Sequence, residues 1–144
     1  KYEPGTVKVV AYDKNGKAVA EKEIHTAGKP DHIELIADRN RIEADGKDLS
    51  FVTVKVVDKE GNLCPTASHE ISFKVKGAGT YRAGANGNAA SLESFQNPKM
   101  KVFNGMMTAI VSSTEQSGKI ILEATAKGLK KGILNLESVL ESVK

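Results

Sequence analysis

Hydrolysis by a carboxylate pair needs two acids about 5–5.5 Å apart for retention, or about 6.5–9.5 Å apart for inversion, in a cleft that raises one pKa. The acids that bear on this are Glu21, Glu23, Glu34, Asp45, Asp48, Asp58, Glu60 and Glu93. The first seven fall on turns or outward strand positions, so none pairs with another as acid and base. Glu93 alone has apolar neighbours on both sides, Leu92 and Phe95, and reads as a hydrogen-bonded anchor of its loop. His25, His32 and His69 stand apart, none at a spacing that joins it to a second zinc ligand. Cys64 precedes Pro65 and reads as a small packing residue; a nucleophilic role would need a base such as His69 held against it and a lowered pKa. Asp58, Glu60 and Asn62 share a turn and form a weak calcium candidate, against which stands a type I turn closed by Gly61. No catalytic residue, no cofactor site and no firm metal ligand follow from these positions.

Other binding chemistries fare no better. The net charge is +3, and only Arg39, Arg41 and Arg82 of the 21 basic residues are arginine. That scattered lysine excess argues against nucleic acid. Lys127, Lys130 and Lys131 flank Gly128 as a solvated turn. Sugar faces stack on exposed rings, and the chain has no Trp; Tyr81 and Phe95 are the rings nearest a long loop. No apolar run reaches the ~20 residues of a membrane helix, so membrane insertion by helix is not expected. A single cysteine excludes an internal disulfide. The first residue is Lys rather than Met, which suggests a piece of something longer.

The elements that would carry any site are strands. Phe51 to Val57 reads F-V-T-V-K-V-V, with Val52, Val54 and Val56 on one face and Phe51, Thr53 and Lys55 on the other. Thr6 to Tyr12 and Ala18 to His25 flank Asn15-Gly16, which supplies the positive φ a tight hairpin needs. Ile33, Leu35 and Ala37 alternate, as do Ile71, Phe73 and Val75; Met107, Ala109 and Val111; and Ile120, Leu122 and Ala124. Residues 42–47 read as a polar crossing, 101–103 as a short strand before the Asn104-Gly105 turn, and Ile133 to Leu136 as a last strand. Leu136, Val139, Leu140 and Val143 sit at helical spacing, so a short terminal helix is expected there. Strands of this length between frequent turns predict an all-β, immunoglobulin-like antiparallel β-sandwich over 29–144, with an extra N-terminal β-hairpin and linker over 1–28. Residues 84–99 form a long irregular segment. Leu92 and Phe95 there call for burial against the sandwich or a neighbour, which makes Leu92, Glu93 and Phe95 a candidate docking loop.

The segments Tyr2 to Tyr12, Ala44-Asp45-Gly46-Lys47-Asp48-Leu49, Val57-Asp58-Lys59-Glu60-Gly61-Asn62, Ser91-Leu92-Glu93-Ser94-Phe95 and Phe103-Asn104-Gly105 occur in an order that resembles one family. They are similar to the C-terminal region of glycoside hydrolase family 2 enzymes of the β-galactosidase type. The family pattern has Asp-Pro after the Asn-Gly of the long loop, where this chain has Asn88-Ala89. The resemblance implies a non-catalytic accessory module of a bacterial enzyme, with residues 1–28 closing a preceding small β-domain. It implies a secreted or periplasmic parent hydrolysing O-glycosyl bonds, whose two catalytic glutamates lie on an upstream barrel. Partners would be other domains of that parent, and the hairpin's open edges invite a homodimer. An adhesin or invasin-type binding module and a weak carbohydrate-binding module are the alternatives.

Overall fold

A computed structural model describes residues 3–140. Eleven strands form three sheets, and no helix occurs among the described residues. β1 (Thr6–Tyr12) and β2 (Ala18–His25) make a hairpin of their own. β3 (His32–Ala37), β5 (Leu49–Val57), β9 (Met106–Ser113) and β7 (Gly79–Ala85) make a four-stranded sheet in that spatial order. β4 (Arg41–Glu43), β11 (Gly132–Val139), β10 (Gly118–Thr125), β6 (Glu70–Gly77) and β8 (Lys99–Lys101) make a five-stranded sheet. Every pairing is antiparallel except β4 with β11.

The two larger sheets form the sandwich. Val52, Val54, Val56, Ala109 and Val111 point inward from one; Ile71, Ile120, Leu122, Ala124 and Leu136 meet them from the other, all at 3% exposure or less. Each buried Val, Leu or Ile side chain contributes about 1.5–3 kcal/mol, so aliphatic alternation alone drives the two layers together. Phe73 and Tyr81 add the aromatic contact, stacked with centroids 5.5 Å apart.

Several sequence expectations shift. The polar pattern of residues 42–47 predicts a crossing, yet Ile42 is 2% exposed in β4, which pairs in parallel with β11. The short strand lies at Lys99–Lys101 rather than 101–103, because these are the residues that pair with β6, although Met100 and Val102 both reach the core. The last strand extends from Gly132 through Val139. Leu136 and Val139 therefore belong to a strand and not to a helix: β10 on one side and β4 on the other supply ladder bonds that override the helical spacing. Val143 lies outside the described residues.

Candidate functional site

The strand register gathers four loops at one end of the sandwich. Asp31 N–H donates to Val57 O, His32 pairs with Val57, Lys55 with Met106, and Ala85 with Thr108. So β3 begins, β5 ends, β9 begins and β7 ends on the same side. The connector 26–31, the turn 58–66, the loop 86–98 and the turn 103–105 all emerge there. The hairpin departs from this end.

Asp58 organises the junction. It is 1% exposed. One carboxylate oxygen accepts the Gly28 N–H at 2.7 Å and the Asn62 side-chain amide at 3.1 Å. The other accepts the N–H groups of Asn62 at 2.8 Å and Glu60 at 3.0 Å. These donors, Gly28 foremost, hold its pKa down at about 2 against the burial that would raise it. The Gly28 carbonyl in turn faces the buried Cys64 Sγ at 3.8 Å, and Ala27 packs on the core. Burial, with the Asp58 charge behind it, pushes the Cys64 thiol pKa up, the opposite of what a nucleophile needs.

This bears on the calcium candidate. Asp58 is ringed by N–H donors, an environment made for an anion's lone pairs rather than for sharing them with a cation. Among the described residues, no group of three or more His, Cys, Asp or Glu side chains is placed to hold a metal. Millimolar Ca²⁺ is expected to leave the melting temperature unchanged; a rise that grows with concentration would reinstate Asp58, Glu60 and Asn62 as ligands.

Asp31, Asp45, Asp48, Glu21, Glu23 and Glu34 also meet donors or cations in place. Asp31 receives the Lys130 ammonium at 3.0 Å, which lowers its pKa. Asp45 is lowered chiefly by the Lys47 N–H, and Asp48 by the Glu43 N–H with Arg39 beside it. Lys8 bridges Glu21 and Glu23 at 2.9 and 3.3 Å, and Lys55 meets Glu34 at 3.3 Å. All four aspartates with a resolved shift move down, whereas a general acid working near neutrality must move up.

The candidate docking loop is held by Glu93. Its Oε1 accepts the Lys101 N–H at 3.2 Å; its Oε2 accepts from Ser91 Oγ at 3.3 Å and Asn86 Nδ2 at 3.4 Å. Asn86 Nδ2 also donates to Lys101 O at 2.9 Å. Gly84 N–H donates to Phe95 O at 2.7 Å and Tyr81 Oη to Asn97 O at 3.2 Å, so the segment runs along the free edge of β7 and covers it. Glu93 thereby ties its segment to β8. Leu92 and Phe95 do not pack on the sandwich: they are 101% and 64% exposed. Tyr81 is stacked on Phe73, which removes it as a free sugar platform.

Sequence reasoning missed the Asp58–Gly28 bond. The two residues are thirty apart, and the only local signal, a turn-forming Asp, is shared by many turns.

The model of glycoside hydrolase family 2 C-terminal domain 5 matches residues 33–135. Beta-galactosidase BoGH2A of Bacteroides ovatus is 48% identical over 138 residues, which cover 96% of this chain and 16% of that protein. A beta-glycosidase from Bacteroides vulgatus superposes with a TM-score of 0.89 at 29% identity, over 94% of this chain and 18% of the other. A glycosyl hydrolase family 2 member from Bacteroides cellulosilyticus gives 0.86 at 35% identity, over 95% and 18%. The chain spans less than a fifth of the length of each of these relatives.

Proposed function

Because the chain belongs to the glycoside hydrolase family 2 C-terminal domain 5 family, we propose that it is a non-catalytic accessory module of a bacterial family 2 glycosidase of the β-galactosidase type. The observation that carries this reading is the state of its carboxylates. Each aspartate with a shifted pKa is tied to N–H donors or a cation that hold it ionised, so none is poised to protonate a leaving oxygen. The acid and nucleophile of the parent then lie elsewhere in a longer polypeptide, in keeping with the small share of the matched relatives that this chain covers.

On the same reading, residues 1–28 close a preceding β-domain. The hairpin supports this: Val7, Val9 and Ile24 are 64–66% exposed, and a two-stranded sheet alone is marginal in water. Our reading also puts the parent in the periplasm or outside the cell.

The isolated chain is expected to show no turnover of an aryl β-galactoside, while the complete reading frame hydrolyses it. Turnover by the purified 144-residue chain that survives rigorous repurification would overturn the accessory reading.

A further inference from the structure

We propose that the connector end of the sandwich is a rigid docking face for the domain that precedes the hairpin in the same polypeptide, with Leu92, Phe95 and Phe103 as its apolar anchors. This rests on the accessory reading and goes beyond it, since a module can be tethered without docking.

Three observations meet at this end. The first is apolar surface in a preorganised setting. Leu92 is fully exposed, Phe95 is 64% exposed and Phe103 42%. Glu93 and Asn86 clasp both backbone groups of Lys101, two residues from Phe103, so the three anchors ride on one hydrogen-bonded scaffold. A loop tied at Asn86, Ser91, Glu93, Phe95 and Asn97 has already lost much of the freedom that binding would otherwise remove. Solvation alone gives no reason to hold a leucine and two phenylalanines out in water this way.

The second is the connector, which is clamped rather than free. Gly28 N–H is held by Asp58, Ala27 is packed on the core, and Asp31 is bonded through its N–H to Val57 O. Lys130 grips Asp31 twice, by its N–H to the Asp31 carbonyl at 2.9 Å and by its ammonium to the carboxylate. The chain is therefore fixed where it enters this end at residue 26, and Gly5, bonded to Thr26 at 2.9 Å, is brought beside it. A short tether raises the effective concentration of the attached body to the millimolar range, which favours it over any free partner.

The third is an unfilled wedge. A cleft of about 670 Å³ lies between Ile24 on the hairpin and Leu63, Cys64 and Pro65 on the sandwich, with the connector residue Ala27 in its wall. The near end of the hairpin's apolar face, where Val7 pairs with Ile24, borders the cleft through Ile24. The outer face of the five-stranded sheet is dominated by charge, with Lys74, Lys76, Lys99, Lys101, Lys119 and Arg41 around an exposed Ile133. The tethered domain is the body whose geometry brings it to the hairpin, the wedge and the anchors together.

Hydrogen exchange tests this without a mutation. Amides of 90–96 and 103–106 are expected to exchange at least about tenfold more slowly in the complete protein than in the isolated chain. In the complete protein, the triple variant Leu92→Ser, Phe95→Ser, Phe103→Ser should abolish that difference; in the isolated chain it should leave the melting temperature unchanged. Equal rates in both proteins, with a preceding domain present in the reading frame, sink the docking and spare the accessory role. A reading frame without such a domain sinks both. Protection that appears in the isolated chain as its concentration rises would assign the face to a second copy and overturn the proposal.

Discussion

Gly77→Ala is expected to cost about 4 kcal/mol and lower the melting temperature by roughly 10–15 °C. Gly77 ends β6 with φ +89, where an L side chain is strained, and its place beside β10 makes matters worse. A Cβ built there would lie 2.0 Å from the Lys119 carbonyl oxygen and 3.1 Å from its carbon. That oxygen accepts the Ala78 N–H at 3.0 Å, so relief by moving β10 would break the ladder that joins Ile120 to Gly77. Gly87→Ala is the control. Gly87 has φ +74 but nothing within 4 Å of the new methyl, so only the backbone term of about 1 kcal/mol applies. Thermal unfolding of the two variants decides the matter: equal losses would mean that the contact with Lys119 is relieved cheaply by a shift of β10 against β6.

Local regularities in the sequence translated well into structure. The hairpin runs from Thr6 to Tyr12 and from Ala18 to His25, as the alternation and Asn15-Gly16 imply, because a tight turn fixes the register of its own strands. Val52, Val54 and Val56 reach the core because period two permits no other face. What the sequence hid was set by distant partners. Ile42 sits between Arg41 and Glu43 and looks like loop, yet β11, nearly a hundred residues on, makes it a strand. Leu136 and Val139 sit at a helical spacing and fall on opposite faces of a strand, so their pattern favours a helix until the flanking strands β10 and β4 override it. Met100 is one apolar residue between two lysines, too little to mark a strand by itself.

The candidate site divides the same way. The hydrogen bonds of Glu93 could be read from its segment, since a carboxylate in a stretch rich in Ser and Asn finds donors such as Ser91 and Asn86 close by. The exposure of Leu92 and Phe95 could not, because hydrophobicity gives a demand for burial and not the address where it is met. Asp58 shows the limit most sharply. Its type and turn fit a calcium ligand, but its four donors make it the keystone of the connector, one of them supplied by Gly28 across the fold.

Asp58→Ala should therefore loosen the junction more than the turn it belongs to. The variant leaves the N–H groups of Gly28, Glu60 and Asn62 without their acceptor in a site that is 1% exposed, and a fall in melting temperature of about 5–10 °C is expected. Asp58→Asn should rescue little. Its one carbonyl can serve two of the four donors, while its amide turns N–H toward the other two. The pH dependence separates charge from shape. The pKa of Asp58 is about 2 in the fold against an ordinary value of 3.8, so the unfolded chain takes up the proton first on acidification. Its stabilisation is fully present above about pH 4 and is lost as the pH falls toward 2. Asp31, Asp45 and Asp48 are lowered too and contribute in the same direction. The difference in melting temperature between wild type and Asp58→Asn should accordingly be constant from pH 7 to about 5 and shrink below pH 4. Faster amide exchange at Gly28 in the variant would trace the loss to the connector. A difference that stays constant down to pH 2, or a Gly28 amide that stays protected, would show that the connector is held by Ala27 packing and the Asp31–Lys130 pair alone.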